Sequence, residues 1–174
     1  MADNFPIQQS LYLALGELTF SWALIDQSLD FWTTIIYQAA GGEHVEPEIP
    51  EQFSRKRRFL SRCFRQLDIL APYRTEAVAM LDEARSLATI RDPVTHGAYQ
   101  SYDAQSDVIV FVGIKPTDKA RRMVRTVEYR ITLSRLVAAG GDAIDLTGRM
   151  LQFSNRLLDE VVPKDFSRQL LGGL

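Results

Sequence analysis

Residues 11–36, LYLALGELTFSWALIDQSLDFWTTII, decide the fold class. Leu11, Leu15, Leu18, Trp22, Ile25, Leu29, Trp32 and Ile36 follow one another at alternating steps of four and three. That spacing keeps side chains on one face of a helix that turns about 100° per residue. Leu13, Phe20, Leu24, Phe31 and Ile35 form a second apolar set, roughly 180–240° around the helix from the first. A helix apolar on two opposite sides is either sandwiched centrally within its domain or packs one side against another chain. We take it as the sequence's sign of a homodimer through this first helix, a central helix within a monomer being the alternative.

Working outward, Gly41 and Gly42 end this helix, and Glu43–Pro50, with two prolines and three acids, reads as an exposed loop. A second helix is expected over residues 51–70, with Phe53, Leu60, Phe64 and Leu67 inward and Arg55, Lys56, Arg57, Arg58, Arg62 and Arg65 on a basic surface. Pro72 separates it from a third helix, whose inward stripe runs Ala77, Met80, Leu81, Ala84, Leu87, Ala88 and then Arg91. Beyond His96 the period changes. Residues 99–102, 108–114 and 123–131 are rich in β-branched and aromatic types, and Val127, Tyr129 and Ile131 alternate with Thr126, Glu128 and Arg130. Gln105-Ser106-Asp107 and Pro116-Thr117-Asp118 supply turns. A small antiparallel meander over about residues 98–131 is therefore expected between helices 3 and 4. Thr132 can cap the fourth helix, which runs to Glu160 with Leu136, Ala143, Met150 and Leu157 beside Val137, Ile144, Leu151 and Leu158. Gly140 and Gly141 would permit close helix approach there; Pro163 ends the helix, and the tail with Gly172 and Gly173 is expected to be loosely held. The fold class is mainly α, in one domain of residues 1–174.

Composition narrows the functional classes. A chain of 174 residues buries about 70% of its unfolded surface, enough for an unaided core. Cys63 is the single cysteine, so neither an internal disulfide nor a thiolate metal cluster is available, and a reducing, cytoplasmic setting is the simplest expectation. No apolar stretch suggests export or membrane spanning. Residues 1–51 hold eight acids and no basic side chain, whereas the remainder has twenty basic and fourteen acidic ones, sixteen of the basic residues being arginine. The basic second helix is a candidate phosphate footprint, through Arg55, Lys56, Arg57, Arg58 and Arg62; a solvated face that balances the acidic first helix is the alternative. Asp26 and Asp30, at i and i+4 on the first helix, are read as helix surface, with a cation or the cleft as their functional options. No zinc spacing, glycine-rich phosphate loop or serine nucleophile elbow is present, and neither metal nor cofactor is expected.

Arg91-Asp92-Pro93-Val94-Thr95-His96-Gly97 is the segment that reads as chemistry. An arginine on an apolar stripe needs a partner or a wet cleft. Pro93 has no backbone donor and biases Asp92 away from the helical region, so the helix is expected to kink or stop here, letting the His96 ring and the Arg91 fork face one cavity. In a structural alternative Arg91 caps helix carbonyls or pairs with an acid such as Asp26, and His96 packs against the meander.

A long leading helix, a helical framework over roughly residues 8–97 and 132–160, and Arg91, Asp92 and His96 with Gly97 behind them resemble the HEPN superfamily. Its ribonuclease motif is an Arg, four to six residues and a His, very often with Asn, Asp or His next to the Arg. The resemblance implies a four-helix up-and-down bundle, here with the meander as an insertion. It also implies metal-independent cleavage of RNA to 2′,3′-cyclic phosphate at a cleft shared by two protomers. Histidine can take or give a proton near neutral pH, so His96 would act as general base or acid. Arg91 would stabilise the charged phosphorane, Asp92 would orient Arg91 or His96, and Thr95 would donate a hydrogen bond to phosphate. A toxin, stress or phage-defence effector with RNA and an antitoxin or other protein as partners fits that class. The alternative within the same resemblance is a non-catalytic helical module that binds partners or ligands.

Overall fold

The computed structural model describes residues 5–118 and 123–164, with side chains for residues 9–117 and 124–164. Four helices, α1 (Phe5–Ala39), α2 (Phe53–Gln66), α3 (Arg74–His96) and α4 (Leu133–Glu160), carry a three-stranded antiparallel sheet between α3 and α4. Its strands are β1 (Ala98–Asp103), β2 (Val108–Asp118) and β3 (Met123–Thr132), in the order β1-β2-β3. The mainly helical class with an inserted meander is the layout the sequence predicts. The Gly172–Gly173 tail lies outside the described residues.

The chain groups into two compact units, one formed by the residues up to Trp22 with Arg85–Ile144, the other by Ala23–Ala84 with the residues from Asp145 on. In the second unit α1 contributes Ile25, Leu29, Trp32, Ile35 and Ile36 to the core, against Phe59, Leu60 and Phe64 of α2 and Met150, Phe153 and Leu157 of α4. Trp32 lies 4.7 Å, centroid to centroid, from Phe153 and 6.3 Å from Phe64. The polar end of its ring is satisfied as well, its Nε1–H donating to Ser154 Oγ at 2.7 Å. Cys63 is a buried core thiol, and burial pushes its pKa up to about 12 against the opposing charge of Arg62.

In the first unit, Leu11, Ala14, Leu18 and Trp22 of α1 are buried, as are Leu87 of α3, Ile109 and Phe111 of β2, and Leu136 and Ala143 of α4. Gly140 of α4 faces Glu17 of α1, where a Cβ would meet the side chain at 3.4–3.5 Å, an ordinary contact, and Gly141 faces open space, so the approach of the two helices does not depend on either glycine. Asp107, at φ 56°, turns the chain from β1 to β2, and Asp is one of the few side chains that tolerate this left-handed conformation. It also caps α4, its carbonyl accepting from Leu133 N–H and its carboxylate from Ser134 N–H, while Thr132 Oγ1 accepts from Arg135 N–H as expected.

Three boundaries differ from the sequence reading. The second helix ends at Gln66, and the segment around Pro72 forms a 3-10 helix, Asp68–Tyr73, leading straight into α3. Pro116-Thr117-Asp118 belongs to β2 rather than to a turn. The reason is positional: β1 pairs with β2 only as far as Val112, so Pro116 lies where β2 has a neighbour on one side alone, and an edge accepts a residue without an N–H. Finally, α3 does not stop at Pro93 but continues to His96.

Candidate functional site

Pro93 removes one backbone bond to Thr89 in the last turn of α3, and the turn is closed instead by Gly97 N–H donating to Pro93 C=O at 2.8 Å. The loss is confined to that one bond, at the exposed Thr89, and the turn after Pro93 is still closed, so the helix continues through it. Gly97 is required by packing: a Cβ there would lie 2.4 Å from the Pro93 oxygen and 3.1 Å from Phe111 Cβ. The helix end is thereby pressed onto β2, with His96 at the junction.

Helical continuity sets where the motif side chains go. Five residues at about 100° each separate Arg91 from His96 by roughly 140° around α3, so the two do not share the cavity a kink would have given them. His96, exposed, lines a 530 Å³ cleft with Asp92, Pro93, Gly97, Gly113, Lys115 and Tyr129, and Arg91 is not among the lining residues. The Arg91 guanidinium instead lies 5.1 Å from the centroid of the Trp22 ring, and its Nη1 donates to Asp92 Oδ1 at 3.0 Å. Stacking on an aromatic face and pairing with a carboxylate together account for a cation on an apolar stripe. Asp92 thus joins the two parts, taking the Arg91 hydrogen bond and lining the His96 cleft. Thr95 is exposed and does not line it.

The opposite wall of the cleft is the sheet. Tyr129 of β3 lies across Gly113 of β2, where a Cβ would meet the ring at 3.0 Å, and Lys115 Nζ stands 5.3 Å from the centroid of the same ring. A neighbouring 430 Å³ cavity shares Thr89, Pro93 and Tyr129 and adds Arg130 and Arg135. Lys115, Tyr129, Arg130 and Arg135 were not among the sequence candidates. The signal available for Tyr129 was Gly113 inside a strand, which marks a close approach of another group.

The basic surface of α2 is also rearranged. Lys56 is not on it: the side chain is 2% exposed, and its ammonium bridges Asp26 Oδ1 at 2.7 Å and Asp30 Oδ1 at 2.8 Å. Burial pushes its pKa down, but the hydrogen bonds and charges of the two aspartates outweigh that and hold it raised. This corrects Lys56 as a surface phosphate contact, gives Asp26 and Asp30 a partner within the fold, and removes Asp26 as the partner of Arg91. Arg55, Arg57, Arg58 and Arg62 do line a common groove, joined by Arg65. Among the described residues no group of three histidines, cysteines or carboxylates could hold a metal ion, and no helix is long and apolar enough to cross a membrane. Compared with protein-family models, with curated proteins and with solved structures, the chain matches none.

Proposed function

We propose that the chain is a HEPN-type, metal-independent endoribonuclease that works as a homodimer, in the manner of a toxin, stress or phage-defence effector. The observation that carries this reading is His96, exposed in an open cleft at the end of α3 that Asp92 also lines, with Lys115 and Tyr129 on its opposite wall. A single-stranded substrate suits such a cleft, since an aromatic face takes a base and a cation takes a phosphate.

In the proposed step, neutral His96 removes the proton from a ribose 2′-hydroxyl, whose oxygen attacks the adjacent phosphorus. The bond to the 5′-oxygen breaks, and that oxygen takes a proton from the protonated His96 of a second copy. The products are a 2′,3′-cyclic phosphate and a 5′-hydroxyl. Arg91 does not line the His96 cleft of its own chain, so in this reading its charge reaches the phosphorane from the second copy.

The apolar face for such a dimer is supplied by α1 and α4. Leu13 is 60% exposed and Phe20 69%, and Val137 and Ile144 of α4 are exposed near the α1–α4 approach at Gly140. Exposed apolar side chains gathered in this way mark an interaction surface. A second reading, a non-catalytic binding module, is favoured by the engagement of Arg91 with Trp22 and Asp92. Analysis of product ends separates the two: nuclease action leaves 2′,3′-cyclic phosphate and 5′-hydroxyl termini on single-stranded RNA, and a binding module leaves the RNA intact.

A further inference from the structure

In the second unit, α2 presents Arg55, Arg58, Arg62 and Arg65 in one row. At 1.5 Å and about 100° per residue they span about 15 Å within an arc of about 80°. They line a 740 Å³ groove together with Arg57 and two carboxylates, Glu46 and Asp82. Arg57 faces Asp82 at 3.8 Å, and the Glu46 carboxylate, mostly shielded from solvent, accepts from Arg55 Nη2 at 3.0 Å and from Arg62 Nη2. Arg58 and Arg65 have no carboxylate partner among the described residues. Five guanidinium groups against two carboxylates leave an excess of planar, forked donors in one concavity, the chemistry that recognises phosphate.

Glu46 belongs to the loop between α1 and α2, which is tied back by Tyr37 Oη–H donating to Pro47 C=O at 2.8 Å. Its carboxylate therefore occupies the arginine groove as a phosphate oxygen pair would. We propose that this groove is a phosphate track for a single-stranded phosphodiester chain, and that Glu46 is its built-in competitor, displaced from Arg55 and Arg62 when the strand binds. The linear row favours successive backbone phosphates over a single compact anion. The strand's identity as RNA rests on the reading above; the anion site stands on the groove alone.

The test is binding, not cleavage. The full chain carrying His96→Ala, so that RNA persists, is titrated against a labelled twelve-nucleotide oligouridylate by fluorescence anisotropy at about 0.1 M salt, where backbone contacts are still strong. Adding Glu46→Gln is expected to tighten binding about tenfold, as two guanidinium groups lose a charged competitor. Arg58→Ala with Arg65→Ala, both exposed and outside carboxylate pairs, is expected to weaken it about tenfold and to reduce the log–log salt slope by about 1.4, for two single-strand phosphate contacts. Affinity unchanged or weakened by Glu46→Gln in a chain of unaltered melting temperature, or unaffected by the double arginine variant, overturns the proposal. Inorganic tripolyphosphate serves as competitor. If it binds with the Glu46→Gln gain while the oligonucleotide does not bind, the strand assignment falls and the source becomes a free polyphosphate. Because no turnover is read, an inactive but strand-binding protein refutes the nuclease and leaves the track intact.

Discussion

At the scale of single residues, the molecule turns on cations that are explained by their neighbours. Lys56 stands among a run of arginines in sequence, but it is the one lysine there and falls three residues after Phe53 and four before Leu60, on the inward side of the helix. Its burial follows from its position facing Asp26 and Asp30, a placement that only the packing of α2 against α1 creates. The asymmetry of the triad gives a test. Asp26 and Asp30 keep substantial contact with water, so Lys56→Met leaves two solvated carboxylates and costs about 1–2 kcal/mol, whereas Asp26→Ala with Asp30→Ala strands a buried ammonium and costs about 3–5 kcal/mol. Chemical denaturation of the two variants checks the order, and equal losses would refute it. Asp107 supplies a second test. The backbone N–H of Ser134, with smaller help from the Ser134 and Tyr102 hydroxyls, holds its pKa below the ordinary carboxylate value. A depressed folded-state pKa contributes stability that is present above the unfolded value, about 3.9, and is lost as pH falls through the folded one. Thermal melts from pH 7 to pH 3 should therefore show a smaller acid-induced drop for Asp107→Asn than for the parent chain; parallel curves would contradict the cap.

At the scale of elements, apolar spacing made the helices legible, and β-branched alternation did the same for the meander. Every member of the main α1 stripe except Leu15, which is half-buried, lies in the core, and on α4 Leu136, Ala143, Met150 and Leu157 are buried while Val137, Ile144 and Leu151 are exposed. Proline was where the reading failed, twice and for different reasons. At Pro116 no partner waits on the unpaired side of β2, whereas Pro93 forgoes a single bond, to the carbonyl of exposed Thr89, close to the end of α3. Continuity through Pro93 then decides the site, because it sends Arg91 and His96 in different directions. Gly97 holds that junction together, so Gly97→Ala should open the turn that Gly97 N–H closes on the Pro93 carbonyl, crowd Phe111, and cost about 1–3 kcal/mol, as overpacking does. Calorimetry measures it directly, and an unchanged melting temperature would show that the approach is not required. The motif itself was legible in the sequence. The cleft wall formed by Lys115 and Tyr129 was not, since their meeting with His96 depends on the sheet folding back onto α3.

At the scale of the whole molecule, a histidine cleft at one helix end and an apolar surface on α1 and α4 make sense together if two copies assemble. Asp at Phe20, an exposed position of the described fold, should leave the chain folded and convert a dimer to monomer in sedimentation, since a charge buried in an apolar contact is not repaid there. A Phe20→Asp chain that stays dimeric would move the interface elsewhere. The central claim, that His96 performs metal-independent chemistry on RNA, meets its most direct test in one assay. Purified full-length chain is incubated with single-stranded RNA in excess EDTA, beside the His96→Ala variant at matched fold and concentration. The account predicts cleavage by the parent chain and a loss of at least about a hundredfold in the variant, the scale of a general acid–base group. Intact RNA with the parent chain, or cleavage that survives His96→Ala, would contradict it.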